Sequence, residues 1–438
     1  MKTLFVQWGL LAVLALATMA SAAPSASPSL LPGEEKTMVE NRGPAEPGGR
    51  VLAVYNGGIR YQVWIPNGVP KLRGLILASM GNNWDYRYFV DIPAWQAAAR
   101  RWGFALVGTG PKGSAPCASA VLGPDIRQLL ATAARESGHP EFVNLPVCVF
   151  GFSMGSAFTW GLCNAMPERV IAAGMGGSGH IPDLDQDAKV PPALKEIPIV
   201  VTAGELDNLV PPEKWKTAFV PSRRAGYRVA LVTQWGLSHF EGNYENLLLI
   251  HFDRAIAKRL PTEWDPALAP PQLRSIPLEQ GWLGSPERCG EWGTLFVEAC
   301  EATKFVGDAN LANWFVDGTV ARTWQGYSLR HNAAALIRPF VDSMEYIASR
   351  DLPAPVRAGK PLTVTALPYW FRGVTHVEFY AGTDLIATCK APNGELDGQA
   401  YEAVWERPTP GIHPIYAILY NGKGARCITK PCPLVVEE

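Results

Sequence analysis

The chain has 438 residues, of which 47% are hydrophobic and 18% charged, and its formal net charge is -1. This length is too great for one ordinary hydrophobic core, so the sequence predicts two or three folded units. A charge this close to zero leaves no electrostatic footprint for nucleic acid, which excludes a protein built to bind it through its phosphates.

Residues 1–22 have the pattern of a secretory signal peptide. Lys2 supplies a positive charge, residues 10–17 are apolar, and residues 20–22 form a cleavage site of the A-x-A type. The mature chain is predicted to begin near Ala23, in a secreted or periplasmic protein. The apolar run is short for a membrane span, so we expect no stable membrane insertion. A retained signal anchor is the alternative.

Residues 23–45 are rich in Ser, Pro, Ala and Glu and are predicted to be a disordered linker. Alternating strands and helices are predicted from residue 46 to 262. The predicted strands are 51–55, 60–65, 72–80, 104–109, 146–152, 170–175, 197–203 and 227–233. The predicted helices are 94–101, 126–135, 157–164 and 244–259. Asn56-Gly57-Gly58 predicts a hairpin turn between the first two strands. Because parallel strands need crossover connections and bury both faces, the alternation predicts a mostly parallel sheet covered by helices on both faces.

The strand at 146–152 leads into GFSMG, residues 151–155, which has the G-x-S-x-G pattern of a nucleophile elbow. Gly151 and Gly155 lack a Cβ, so a strand and a helix can crowd against the turn. Ser153 is then predicted to have a strained backbone and an exposed hydroxyl. In a chain with 42 glycines the pentapeptide alone is a weak signal.

Two later loops supply the partners that such a serine needs. Asp207 follows the strand at 197–203, and His239 follows the strand at 227–233. Functional residues of open α/β sheets collect beyond the carboxyl ends of the strands, and the order Ser153, Asp207, His239 is the one expected for an elbow serine. Glu205 is the alternative acid, in which case Asp207 would cap a turn.

Each of these residue types has a defined chemical task. A serine hydroxyl needs a general base, and His239 can take its proton while Asp207 orients the imidazole. The developing oxyanion needs hydrogen-bond donors. We expect the backbone N–H of Met154 as one donor. The second is expected from the loop after LILASM, residues 75–80, at Asn82 or, failing that, at Met80.

Residues from about 50 to 261 resemble the α/β-hydrolase fold, in the region of secreted esterases related to dienelactone hydrolases, feruloyl esterases and polyester depolymerases. The resemblance rests on GFSMG, on GELDNLVP at residues 204–211 and on GLSH at residues 236–239. Met80-Gly81 stands where this fold usually has His-Gly. The resemblance implies a Ser-His-Asp serine esterase that needs neither a metal nor an organic cofactor.

The segment between the strands that end near residue 175 and start at 197 is short, polar and Pro-containing. In this fold a substrate-covering cap is usually inserted there. Its shortness predicts an open cleft and a bulky or polymer-linked ester, such as a polysaccharide acyl or feruloyl ester or a polyester. Trp84 and Trp235 are candidate substrate contacts, with core or rim packing as the alternative.

Proline crowding near residues 261–277 marks a boundary. Residues 263–352 are predicted to form a connector with helical pieces at 292–302 and 309–324. Residues 353–438 contain short strands punctuated by Gly, Asn and Pro, which predicts a β-sandwich. The runs VEFYAGTDLIATCKAP and AYEAVWERPTPGIHPIYAILYNGKGA are similar to bacterial immunoglobulin-like modules of secreted enzymes.

The chain has eight cysteines, and export makes disulfides an expectation. The predicted pairs are Cys289 with Cys300, and Cys389 with Cys427 or Cys432. Cysteine and histidine spacing gives no zinc pattern.

The sequence thus predicts a secreted serine hydrolase acting on carboxylic esters. The alternatives are a serine peptidase of the same fold and a non-catalytic exported binding or adhesion protein. The sequence does not define the oligomeric state.

Overall fold

A computed structural model describes residues 39–41, 48–81, 84–111, 119–177, 190–239, 244–337, 352–390 and 400–438. All of them fall in one unit of the chain, Thr37–Glu438. The predicted signal peptide and most of the predicted linker lie outside these ranges. Within them, the search for a helix both long and apolar enough to cross a membrane finds none.

A nine-stranded sheet organises the first half of the chain. Its strands are β1 Val39–Asn41, β2 Gly49–Asn56, β3 Ile59–Pro66, β4 Gly74–Ser79, β5 Phe104–Thr109, β6 Val147–Phe152, β7 Val170–Gly176, β8 Ile199–Gly204 and β9 Val229–Gln234. Their spatial order is β1-β2-β3-β5-β4-β6-β7-β8-β9. The strands from β5 to β9 in this order run parallel, whereas β1, β2, β3 and β5 pair antiparallel. This mainly parallel sheet, with helices on its faces, confirms the predicted α/β-hydrolase fold.

The central strands are buried along their whole length, as both faces of a parallel sheet require. The helices of this half are α1 Pro93–Trp102, α2 Ser119–Ser137, α3 Met154–Ala165, α4 Pro192–Lys195, α5 Pro212–Arg224 and α6 Tyr244–Arg259. Alternate residues of one strand join different cores. Ile76 belongs to the same buried cluster as Trp95 of α1 and Leu248 of α6, whereas Leu75 belongs to a second cluster with Leu129 of α2 and Leu162 of α3.

The predicted hairpin is confirmed between β2 and β3. Asn56 pairs with Ile59, and the two residues between them, Gly57 and Gly58, have φ values of 58° and 78°. Positive φ at both central positions is the geometry that suits the twist of a tight hairpin. Strand β1, inside the predicted linker 23–45, pairs with β2 and extends the sheet at this edge.

The connector is less helical than predicted. The prediction at 292–302 is wrong, because that segment is irregular and ends in a strand. The connector contains a three-stranded sheet formed by β10 Trp282–Gly284, β11 Ala299–Glu301 and β12 Asn313–Phe315, in the order β11-β10-β12. The later helix, α7 Gly318–Ser328, begins after Asp317, whose carboxylate accepts from the N–H groups of Thr319 and Val320 at 3.0 and 3.2 Å. That side chain is a helix N-cap.

Two all-β sheets follow in the C-terminal region. Their strands are β13 Ala334–Ile337, β14 Val356–Arg357, β15 Leu362–Pro368, β16 Val374–Ala381, β17 Asp384–Lys390, β18 Tyr401–Trp405, β19 Gly411–Asn421, β20 Arg426–Ile428 and β21 Cys432–Glu437. One sheet has the order β13-β15-β18 and the other β14-β21-β19-β16-β17, with β20 on β19. Val364 of the first sheet and Phe379 of the second share one buried cluster.

The buried core of the nine-stranded sheet continues into both later regions. Trp314 and Trp324 of the connector, and Tyr416 and Val435 of the β region, belong to the same buried cluster as Trp95 of α1. The first half is therefore packed against the rest of the chain through a shared apolar core.

The predicted disulfides do not form among the described residues, where Cys289, Cys300, Cys389 and Cys427 are free thiols. Cys389 lies on β17 and Cys427 on β20, three strand spacings apart across β16 and β19. At about 4.8 Å per spacing, the two Cα atoms lie roughly 14 Å apart, which is more than twice the Cα distance that a disulfide spans. Cys289 Sγ instead lies 3.4 Å from Ser328 Oγ, and burial raises the pKa of its thiol to about 11.

Candidate active site

Ser153 has the strained backbone that the pentapeptide predicts. Its φ is 54° and its ψ -122°, and it is the one non-glycine residue with positive φ in the described part of the chain. The neighbouring glycines explain how this turn forms. A Cβ at Gly151 would lie 2.0 Å from Gly155 O, and one at Gly155 would lie 2.1 Å from Ser79 O. Any larger residue at either position would push β4, β6 and α3 apart.

Hydrogen bonds hold the turn from below. The backbone N–H of Ser153 donates to Gly176 O at 2.8 Å. The Ser156 hydroxyl lies 2.8 Å from both Gly151 O and Gly176 O. The turn is thus fixed to the end of β7, and the half-buried Ser153 side chain stands at the carboxyl edge of the sheet.

Ser153, His239 and Asp207 form one continuous chain of hydrogen bonds. His239 Nε2 lies 2.9 Å from Ser153 Oγ, and His239 Nδ1 lies 2.8 Å from Asp207 Oδ2. Because an ionised carboxylate only accepts, Nδ1 carries the proton that is donated to Asp207, which leaves Nε2 free to accept from the serine. Asp207 and His239 are both only 3% exposed, so water does not compete for the bond between them.

The second oxygen of Asp207 is also occupied. Asp207 Oδ1 accepts from the N–H groups of Leu209 and Val210 at 3.0 and 2.8 Å. The two roles weighed for Asp207 in the sequence therefore coexist, since one oxygen caps the turn and the other faces His239.

Glu205 occupies a different position from Asp207. Its Oε2 accepts from the backbone N–H of Gly236 at 2.9 Å, and its Oε1 lies 2.8 Å from an Arg330 guanidinium nitrogen. The structure therefore brings His239 to Asp207 and directs Glu205 toward the connector.

The loops that carry Asp207 and His239 are joined to each other beyond the ends of β8 and β9. Leu206 N–H donates to Leu237 O at 2.9 Å, and Glu205 N–H donates to Gln234 O at 2.9 Å. A Cβ at Gly204 would lie 2.6 Å from Leu237 O. The absence of a side chain at Gly204 lets the histidine loop pack directly on the strand end.

The loop after β4 runs beside Ser153. A Cβ at Gly81 would lie 3.9 Å from Ser153 Oγ, and Met80 O would lie 2.9 Å from a Cβ at Gly155. Met154 is the first residue of α3, and the first N–H groups of a helix have no acceptor within it. Asn82 lies outside the described residues.

A buried polar cluster supports this side of the site. Tyr86 Oη donates a short hydrogen bond to Glu245 in the first turn of α6, and Trp95 Nε1 donates to the same carboxylate at 3.2 Å. Burial, together with the nearby Glu245 carboxylate, raises the pKa of Tyr86 well above its ordinary value. The phenol therefore stays protonated. Next to it, Tyr244 Oη contacts Met80 Sδ at 3.8 Å, which links α6 to the loop after β4.

The two tryptophans singled out in the sequence lie in different surroundings. Trp84 is exposed. Its backbone N–H donates to Gly81 O at 3.1 Å, so Trp84 stands next to the loop beside Ser153. Trp235 is half-buried against the connector, where its Nε1 donates to Ser328 O at 2.7 Å.

Sequence reasoning missed three other large apolar side chains that are neighbours of Ser153 or Asp207 in the chain: Met154, Leu206 and Leu209. All three are exposed although they are large and hydrophobic. Each lies within two positions of Ser153 or Asp207 in the sequence. That proximity is the signal by which they could have been identified from the sequence. In the described ranges, a search for groups of three or more His, Cys, Asp or Glu side chains able to hold a metal ion finds none.

No protein-family model matches the sequence, and no curated protein matches it. Several solved structures are similar to parts of the chain. A thermostable esterase matches with 18% identity and a TM-score of 0.33, over 42% of this chain and 54% of its own. This chain thus spans about half the length of that esterase.

An acetyl xylan esterase from Aspergillus awamori matches with 12% identity and a TM-score of 0.31, over 47% of this chain and 94% of its own. Fibronectin(III)-like modules of a Clostridium thermocellum protein match with 20% identity and a TM-score of 0.18, over 24% of this chain and 93% of their own. At such identities and scores, these similarities assign no activity to the chain.

Proposed function

We propose that this protein is a carboxylic ester hydrolase that acts through a covalent acyl-enzyme. The observation that supports this most strongly is the unbroken hydrogen-bond chain from Ser153 Oγ through His239 to Asp207, with Ser153 on a strained turn. A serine held at positive φ costs on the order of 1 to 3 kcal/mol, and such strain clusters at functional sites.

In the first half-reaction, Ser153 Oγ attacks the acyl carbon while His239 Nε2 takes the hydroxyl proton. The carbonyl π bond opens to an oxyanion. As the oxyanion collapses, the bond to the alcohol breaks, and His239 gives its proton to the departing oxygen. Water then repeats the sequence on the Ser153 ester and releases the acid, so that Ser153 is regenerated.

Asp207 would hold the imidazole in the tautomer that this cycle needs and stabilise the imidazolium. Its buried position and its two loop N–H donors keep it in place. Met154 N–H is the proposed first oxyanion donor, with Asn82 or Met80 as the second. Each such donor is typically worth about 3 kcal/mol of barrier.

The proposed substrates are bulky or polymer-linked esters. Support comes from exposed apolar side chains, which suit an apolar group on the ester. Trp84 stands beside the loop after β4, and Met154, Leu206 and Leu209 are neighbours of Ser153 or Asp207 in the chain. The signal-peptide pattern supports secretion or export to a periplasm, where polymeric substrates are accessible.

A graded series of aryl acyl esters, with a peptide amide as control, tests this function on the purified protein. We expect ester hydrolysis that falls roughly 10^6-fold in Ser153→Ala and is unchanged in Ser275→Ala, an exposed serine whose hydroxyl pairs with Glu196 outside the site. Lack of hydrolysis of every ester would refute the enzyme proposal, and activity retained in Ser153→Ala would refute the residue assignment. Faster cleavage of the amide would favour a peptidase.

A further inference from the structure

Three side chains connect the connector to the loops that carry Asp207 and His239. Glu205 belongs to the first loop, Trp235 to the second and Arg330 to the connector. We call these three residues the loop clamp.

Glu205 bridges the two loops through its carboxylate. One oxygen accepts from Gly236 N–H at 2.9 Å in the histidine loop, and the other lies 2.8 Å from Arg330 Nη2. Glu205 is two positions before Asp207, and Gly236 is three positions before His239. A shift of Glu205 would therefore move both partners of the His239–Asp207 hydrogen bond.

Arg330 reaches both loops at once. Besides its bond to Glu205, its guanidinium carbon lies 5.4 Å from the centre of the Trp235 ring, within cation–π range. Its own backbone is fixed, because Arg330 N–H donates to Cys289 O at 3.0 Å.

Trp235 sits in a socket made by the connector. Its Nε1 donates to Ser328 O at 2.7 Å, and a Cβ at Gly290 would lie 2.4 Å from the ring. The absence of a side chain at Gly290 therefore lets the outer edge of the indole ring approach the connector backbone closely. The histidine loop is held from outside the hydrolase sheet by a region that follows it in the chain.

We propose that Arg330 is a positioning residue that sets the relative placement of Asp207 and His239, which makes the connector part of the catalytic apparatus. This inference rests on the proposed function. Arg330 is 43% exposed, and exposed ion pairs add little stability, so its effect is expected on geometry rather than on folding. Misplacement of catalytic groups by about 1 Å can cost up to 100-fold in rate.

The chain offers a matched control for Arg330. Arg426 also pairs with a glutamate, Glu298, and also lies over an aromatic ring, with its guanidinium carbon 4.1 Å from the centre of Phe296. Its side chain is 39% exposed, close to the 43% of Arg330. In the described structure these contacts join the C-terminal β region to the connector and involve neither loop.

The test compares Arg330→Met, Arg330→Lys and Arg426→Met with the wild type in full-length protein. We expect Arg330→Met to lower kcat roughly tenfold with KM within about twofold, and Arg330→Lys to recover part of the loss. Amide hydrogen exchange, read by mass spectrometry, should rise in peptides 204–210 and 234–239 of Arg330→Met. Arg426→Met should match the wild type in both measurements.

The clamp is refuted if loop exchange in Arg330→Met equals that of the wild type, if its kcat stays within twofold, or if Arg426→Met loses as much. A wild type that hydrolyses no ester would instead refute the proposed function. Loop exchange would still test the clamp in that case.

Discussion

Two acidic residues of one loop, Asp207 and Glu205, could each have been the residue that pairs with His239. Asp207 and Glu205 are two positions apart, and no periodicity of the sequence tells which one turns inward. The structure buries Asp207 against His239 and leaves Glu205 with Gly236 and Arg330. Ser153 and His239 could be predicted because a pentapeptide and the ends of strands identify them.

We predict that Asp207→Asn lowers kcat about 10^4-fold, because the amide can donate to Nδ1 and would stabilise the wrong histidine tautomer. Glu205→Gln keeps an oxygen for Gly236 N–H and loses only its charge toward Arg330, so its kcat should fall by roughly tenfold or less. Steady-state kinetics on one aryl ester measures both. Equal losses in the two variants would contradict the assignment.

His251 gives a pH dependence that is independent of catalysis. It lies in α6, and burial lowers its pKa to about 4 although Nε2 lies 3.2 Å from Pro198 O. In the unfolded chain a histidine has a pKa of about 6.5. Between these values the unfolded state binds more protons, so stability falls as the pH falls from about 6.5 toward 4.

The substitution His251→Gln removes the pH-dependent contribution of the histidine to stability, while the glutamine amide can still donate to Pro198 O. When the pH is lowered from 7 to 5, we expect the free energy of unfolding of the wild type to fall by ~2 kcal/mol more than that of the variant. Urea unfolding at both pH values measures it. A difference that does not change with pH would show that His251 titrates alike in both states.

Among the secondary-structure elements, β4, β6 and α3 pack so closely around the Ser153 turn that residues 151 and 155 must be glycine. We predict that Gly155→Ala lowers the free energy of unfolding by about 1 to 3 kcal/mol and removes most activity, because its Cβ would lie 2.1 Å from Ser79 O. Gly422→Ala is the control, since its Cβ would meet nothing closer than 3.8 Å. Urea unfolding and ester hydrolysis check both. Unchanged activity in Gly155→Ala would contradict the packing argument.

The local sequence pattern was enough to predict the strands of the nine-stranded sheet, but it was not enough to predict the secondary structure of the connector. Each central strand is a short apolar run bounded by turn residues, and a parallel sheet buries all of it. In residues 292–302 the spacing of the aromatic and apolar residues matched a helix. Their environment is decided instead by distant partners, such as Arg426 over Phe296. Contacts of that sequence separation leave no local signature.

At the scale of the whole molecule, the shared core predicts one cooperative unit. Because Tyr416 and Val435 of the β region pack in the same cluster as Trp95 and Trp324, we expect a single unfolding transition. Tryptophan fluorescence and loss of ester hydrolysis should follow the same urea midpoint. A separate early transition of the β region, with activity retained, would contradict this prediction.

The proposed function depends above all on acylation of Ser153 with help from His239. Peptide mapping by mass spectrometry after reaction with a fluorophosphonate, a reagent that phosphonylates activated serines, tests it most directly. We predict one adduct, on Ser153, that forms at a rate strongly reduced in His239→Ala and is lost in Ser153→Ala. An unlabelled wild type, or an adduct on another residue, would contradict the account.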